Sequence, residues 1–163
     1  MRTPASIATS TSHPPADLQV AVVVSRFHTA ITERLLDGAV QQFAHAGVAQ
    51  ERVRVFRVPG AFEIPVVAAA LARSGTCHGV LTLGCVARGE TPHFDHICRT
   101  VADGLQRVAV DTGVPVVFGV LTVETLAQAE ARAGGPLGNS GAEGAATLLE
   151  MCGIMNDVRR CVR

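Results

Sequence analysis

The run Gly89-Glu90-Thr91-Pro92-His93-Phe94-Asp95 carries the residue types best suited to chemistry in this chain. It follows an apolar β-type run, Gly79 to Val86, and precedes a helical pattern. Thr is a good helix N-cap, and Pro suits the first helical position, where its missing N–H costs nothing. The spacing therefore predicts Thr91 as N-cap, Pro92 as the first helical residue and His93 in the first turn. Free backbone N–H groups at the positive end of the helix dipole make an anion site, and the imidazole adds a proton-transfer group. The competing reading of these seven residues is an ordinary strand-to-helix turn with a surface His.

Other reactive types fall at comparable turns. Arg26-Phe27-His28 leaves a first β-type run, and Gly60-Ala61-Phe62-Glu63 leaves a second. Cys85-Val86-Ala87 leads into the His93 run, Phe118 lies in a fourth, and Arg132 ends a helical stretch. An aromatic plate, a carboxylate, a His at a helix start and an Arg together suit an aromatic heterocycle and a phosphate. No Walker loop, dinucleotide Gly fingerprint or Ser nucleophile elbow is present. His93, His96 and Cys98 are close in sequence, but positions 93 and 96 share a helix face while 98 points elsewhere, so no metal is expected.

These turns need strands and helices to hold them. Leu18 to Ser25 is β-branched enough for a strand buried on both faces. Ile31, Leu35, Leu36, Ala39, Val40 and Phe43 recur at helical spacing, with Gly47 as the stop. Val53 to Val58 predicts a second strand, and Phe62 to Ala72 a helix with Pro65 in its first turn. Val80 to Ala87 predicts a third strand, and residues 92–111 a third helix. Val114 to Val123 predicts a fourth strand with Pro115 near its start. Glu124 to Arg132 and residues 141–160 predict two closing helices around a Gly-rich connector. Alternating strands and helices imply parallel pairing with right-handed crossovers. The expected fold is α/β, a flavodoxin-like three-layer α/β/α sandwich on a central four-stranded parallel sheet. Ligands of such sheets bind outside the carboxyl ends of the strands.

Composition bounds the partners. At 163 residues the chain is expected to form one domain over 17–163, preceded by a flexible Ser-, Thr-, Ala- and Pro-rich arm over 1–16. Hydrophobic residues are 48% and charged residues only 17%, more apolar surface than a monomer needs, so other subunits are expected to cover part of it. Fourteen basic and fourteen acidic residues balance, which gives no support for a nucleic-acid or anionic-membrane partner. Arg, Gly or Pro breaks every apolar run before a membrane-spanning length, and the first 16 residues lack a secretory layout. A cytoplasmic protein is expected. Its five cysteines form no Cys-x-x-Cys pair and read as reduced, packed thiols.

Ser25-Arg26-Phe27, Val58-Pro59-Gly60-Ala61-Phe62-Glu63-Ile64-Pro65, Arg88 to Asp95, Phe118-Gly119-Val120-Leu121-Thr122 and Gln128-Ala129-Glu130-Ala131-Arg132-Ala133-Gly134 occur in one order. In order and spacing the chain resembles the lumazine synthase family from about residue 17 to 155. The resemblance implies a cofactor-independent transferase at the penultimate step of riboflavin synthesis. It would condense 5-amino-6-(D-ribitylamino)uracil with 3,4-dihydroxy-2-butanone 4-phosphate, releasing phosphate and water. A paralogue that binds or stores flavin or lumazine without making it is the alternative.

The resemblance also implies roles. Phe27 would stack on the pyrimidine, and Ala61, Phe62 and Glu63 would hold the ribityl chain. Cys85, Val86 and Ala87 would offer backbone groups to the uracil edge. Glu90 and Thr91 would give backbone amides to the phosphate, with Arg132 neutralising its charge. His93 would shuttle protons, and Phe118 would close the far wall. Structural roles compete: a strand-end plug for Phe27, dipole compensation for Glu63, a helix-end cation for Arg132, and strand packing for Phe118. Two residues depart from the family pattern. His28 stands where Asn is common, and Ser140 replaces a Lys expected near Arg132. The family further implies a homopentamer, with Phe118 and Arg132 supplied by the neighbouring subunit, and a 60-subunit shell as the larger alternative.

Overall fold

A computed structural model describes residues 13–162; the rest of the expected N-terminal arm, residues 1–12, lies outside that range. Four strands form one parallel sheet: β1 (Val20–Ser25), β2 (Val53–Val58), β3 (Gly79–Ala87) and β4 (Val116–Val123). Their order is β2-β1-β3-β4, the flavodoxin-like arrangement. The helices are α1 (Thr29–His45), α2 (Ile64–Arg73), α3 (His93–Thr112), α4 (Leu126–Arg132) and α5 (Ser140–Cys161).

Side-chain alternation divides the core in two. Val20, Val22 and Val24 of β1, with Leu81, Leu83 and Cys85 of β3, pack against α1 and α5 through Leu35, Ala39, Phe43, Ala145 and Leu148. Ala21, Val23, Val80 and Val120 face the other way, onto Ile64, Ala68 and Leu71 of α2 and Val101 and Leu105 of α3. All six residues of β1 are buried because both faces and both edges are covered.

Local chemistry sets the element ends. Gly47 takes φ +81° just past α1, and Gly113 takes φ +65° at the end of α3, conformations that cost a side-chain-bearing residue energy. Thr125 and Gln128 form a capping box, so α4 starts at Leu126 rather than at the expected Glu124. β4 begins at Val116 rather than Val114: Pro115 stays outside it and offers only its carbonyl, which accepts from Val80 N–H at 2.9 Å. β1 likewise begins at Val20, because the Leu18 amide is turned to Pro15 O. The Phe62–Ala72 helix splits into a 3₁₀ turn, Ala61–Glu63, followed by α2.

The Gly-rich connector holds structure that composition alone does not suggest. β5 (Ala133–Gly135) and β6 (Gly138–Asn139) make a small antiparallel hairpin. Gly134 and Gly138 both adopt φ +84° there. The Asn139 carboxamide oxygen accepts from the Gly141 and Ala142 amides, capping α5, while its nitrogen donates to Arg34 O.

α5 lies close to its neighbours because it opens on small residues. A Cβ on Gly144 would come within 2.8 Å of the Leu81 side chain, and one on Gly141 would run into the Leu35 carbonyl. Backbone cannot yield as a side-chain tip can. Gly141→Ala is expected to destabilise the protein by about 1–3 kcal/mol, read as a lower urea midpoint at unchanged slope. An unchanged midpoint would mean that α5 slides freely on α1.

Candidate active site

The parallel sheet brings the loops after β1, β2 and β3 to one edge, where they enclose a cleft of about 630 Å³. It lies beside β1, where the strand order reverses: the chain passes from β1 to β2 on one side and then crosses back to β3 on the other. From the β1 loop come Phe27 and His28; from the β2 loop Gly60, Ala61, Phe62 and Glu63. Cys85, Val86 and Ala87 form the floor, and Gly89, Thr91, His93, Phe94 and Ile97 form the third side.

Phe27 is held by its neighbours rather than by burial. Buried Ser25 turns its hydroxyl to accept the Phe27 amide at 3.1 Å, and Arg26 N–H donates to Val58 O at 2.8 Å. His28 follows in the left-handed region at φ 58°, ψ 47°, alone among the described non-glycine residues. Its ring meets Phe27 edge-on, with centroids 4.8 Å apart and planes at 80°. The His28 carbonyl accepts from Ile31 and Thr32, so the strained residue also starts α1. Phe27 remains 64% exposed and Phe62 57% exposed. Two wet aromatics at one cleft leave an apolar surface for a planar ligand or a neighbouring subunit to cover.

Across the cleft, His93 is exposed at the first residue of α3. The expected cap is displaced by one residue. Pro92, not Thr91, occupies the N-cap position, because its carbonyl is the first acceptor, taking Asp95 and His96 N–H at 3.0 and 3.3 Å. The Thr91 hydroxyl instead accepts the His93 amide at 3.4 Å. Glu90 and Thr91 are exposed, and Glu90 does not line the cleft. Glu63 does line it, and a Cβ on Gly60 would come within 3.0 Å of the Glu63 carboxylate, so glycine there leaves room for that group.

Phe118 and Arg132 stand apart from this cleft. Phe118 lies on edge strand β4, paired with Thr82 and 43% exposed. Arg132 ends α4 and donates to Gln128 O at 3.0 Å. The β5–β6 hairpin pairs Ala133 with Asn139, the residues next to Arg132 and Ser140. Within one chain, therefore, the cleft gathers Phe27, Ala61, Phe62, Glu63, Cys85, Val86, Ala87, Thr91 and His93, and not Glu90, Phe118 or Arg132. It also contains Phe94 and Ile97, which sequence reasoning passed over. Their spacing from His93, one and four positions along α3, was the available signal.

Among the described residues, no group of three or more His, Cys, Asp or Glu is placed to hold a metal ion, and no helix is long and apolar enough to cross a membrane. A family model described as 6,7-dimethyl-8-ribityllumazine synthase matches residues 17–156.

Burial pushes the Cys85 thiol up to about 11. At pH 8 only about one Cys85 in a thousand is then the reactive thiolate. Iodoacetamide at that pH should modify exposed Cys161 well before Cys85, as read by peptide mass mapping. Rapid labelling of Cys85 would reveal an ionised thiol in the cleft and reopen a nucleophilic role.

Proposed function

The chain belongs to the 6,7-dimethyl-8-ribityllumazine synthase family, and from that premise we propose that it catalyses the family's condensation of 5-amino-6-(D-ribitylamino)uracil with 3,4-dihydroxy-2-butanone 4-phosphate. The observation that carries this reading is the placement of Phe27, Glu63 and His93 around one cleft at the carboxyl ends of the strands. The pyrimidine stacks on Phe27, and its edge meets backbone groups of Cys85, Val86 and Ala87. The ribityl hydroxyls run past Ala61 and Phe62 to the Glu63 carboxylate, an acceptor suited to several hydroxyl donors. The butanone phosphate lies over the Glu90–Thr91 loop, at the positive end of α3.

In this arrangement His93 sits between the two substrates. It moves protons as the amine adds to the ketone and water leaves, and again as phosphate is eliminated and the ring closes. Much of the acceleration comes from holding amine and carbonyl together, an effect that reaches several kcal/mol in well-oriented pairs. Phe118 and Arg132 complete the site from the adjacent subunit of a homopentamer. Their separation from this chain's own cleft and the exposure of Phe27 and Phe62 both favour that assembly. Phe118 closes over the pyrimidine, and Arg132 neutralises the phosphate. The site is cytoplasmic and needs no cofactor.

Ser140 stands where the family carries a Lys near Arg132, and its lack of charge leaves this phosphate site one positive charge short. A missing charge-assisted contact is worth about 1.5–3 kcal/mol, or roughly ten- to a hundredfold in affinity. Ser140→Lys is therefore expected to lower KM for the butanone phosphate by that factor while leaving the pyrimidine KM unchanged. Equal KM values in the two proteins would remove Ser140 from the phosphate site.

The decisive assay is formation of the fluorescent lumazine from the two purified substrates. Turnover is expected, and His93→Ala should lower it by about 10²–10⁴-fold. No turnover together with tight binding of a ribityllumazine would replace the synthase with a flavin- or lumazine-holding paralogue, the reading that His28 and Ser140 favour. Light scattering of the same sample separates a pentamer from a 60-subunit shell.

A further inference from the structure

Arg88 follows the last residue of β3 and opens the loop that leads to His93. Its backbone N–H donates to Val123 O at 2.9 Å, adding one rung to the β3–β4 pairing. Its guanidinium reaches two more elements. Nε donates to Glu124 Oε2 at 2.7 Å, in the turn between β4 and α4. Nη1 and Nη2 donate to the two carboxylate oxygens of Asp95 at 3.2 and 3.1 Å, in the first turn of α3. Its flat face covers the Phe94 ring, with Cζ 4.2 Å from the centroid, and Phe94 lines the cleft.

One side chain thus ties the ends of β3 and β4 to the start of α3. The loop 89–92 and His93 are strung between the backbone of Arg88 and the groups its side chain holds. Arg88 itself does not line the cleft. These partners are more than a third exposed, so each ion pair adds little stability by Coulomb attraction. What the fork supplies is direction: two parallel N–H bonds to one carboxylate fix its plane, which an ammonium cannot do. Hydrogen bonding from Arg88 also holds the Asp95 carboxyl below its usual value, with His96 and Arg99 acting the same way more weakly. A lowered carboxyl keeps its partner above the ordinary carboxylate range and loses it only as pH falls through the depressed value. The fork is therefore closed at every pH suited to an assay.

We propose that Arg88 is a positioning residue that fixes the 89–92 loop and the His93 imidazole against the strand ends, acting through Asp95, Glu124 and Phe94. The proposal rests on the reading of His93 as the proton shuttle. Geometry and charge make separable contributions. Without Arg88, Asp95 slackens, and two carboxylates remain near the phosphate loop with no cation between them.

The test compares Arg88→Met, Arg88→Lys and Glu124→Gln with the unaltered protein. For Arg88→Met, kcat should fall about ten- to a hundredfold, the scale of a small misplacement of reacting groups. KM for the butanone phosphate should rise, while KM for the pyrimidine stays within about twofold. Arg88→Lys, which keeps the charge and loses the fork, should restore the phosphate-substrate KM but not kcat. Glu124→Gln, which removes one arm and leaves the Asp95 fork, should lower kcat less than Arg88→Met at an unchanged melting temperature. Unchanged kcat in Arg88→Met would overturn the proposal. So would joint loss of kcat, pyrimidine binding and melting temperature in Arg88→Met with Glu124→Gln fully active, since that pattern marks a merely structural residue. Amide hydrogen exchange without substrate gives an independent answer: Arg88→Met should speed exchange over residues 89–95 and leave β1 and β3 unchanged. Unaltered exchange there would refute the clamp. If the unaltered protein makes no lumazine, the synthase reading fails, and this exchange result still decides the clamp.

Discussion

Everything at the candidate site depends on β1 being hydrogen-bonded on both sides, to β2 along one edge and to β3 along the other. Because the pairing is parallel, all three strands end at the same rim. Because the helices that follow them, α1 and α3, lie on opposite faces, the loops after β1 and β3 diverge and leave a crevice between them. The buried valines of β1 contribute no chemistry. Their work is to make that strand the one fixed reference from which Phe27, Gly60 and Ala87 take their positions.

The rim is shaped by short-range polar contacts that operate once the strands are in place. Ser25 is buried at the last rung and can satisfy its hydroxyl by receiving the Phe27 amide, which turns the ring out of the sheet. His28 then accepts a left-handed backbone to begin α1 at once. Asn or Gly would adopt that conformation more easily than His. On the opposite side, α3 starts without a side-chain cap at Pro92, and its first amide, that of His93, is held only at 3.4 Å by the Thr91 hydroxyl. Backbone strain and a weakly held helix start therefore lie at the cleft, while β1 beneath it is paired along both edges. A local rule broken at a site that can use the breakage is consistent with function there.

The single chain does not bring all of the expected site residues together. Phe118 on β4 and Arg132 on α4 lie outside the cleft that holds Phe27 and His93. Edge strand β4 is short of neighbours, and the apolar side chains Val66, Val110, Phe118 and Leu126 are exposed on α2, α3, β4 and α4. Such exposure across several elements is what the low charged fraction of the chain anticipates. The same composition that makes a tight α/β core leaves apolar area that a single domain cannot cover.

Period and punctuation in the sequence determined the elements: β-branched runs gave the four strands, 3.6-residue spacing gave the helices, and Gly47 marked a stop that the structure keeps. They also carried the order of motifs by which the family is recognised, since such motifs are local in sequence. What they did not determine was which of several possible partners, near or distant, a group takes. Thr91 yielded the cap position to Pro92 by the choice of first carbonyl acceptor, and a glycine-rich connector became a hairpin because Ala133 found Asn139. Phe94 and Ile97 joined the cleft only when α3 docked on the sheet, and Arg88 met Asp95 and Glu124 only when β3 and β4 ended side by side. Residue type and spacing fix which bonds a segment is able to make; which of them it makes is decided by what the fold carries within reach.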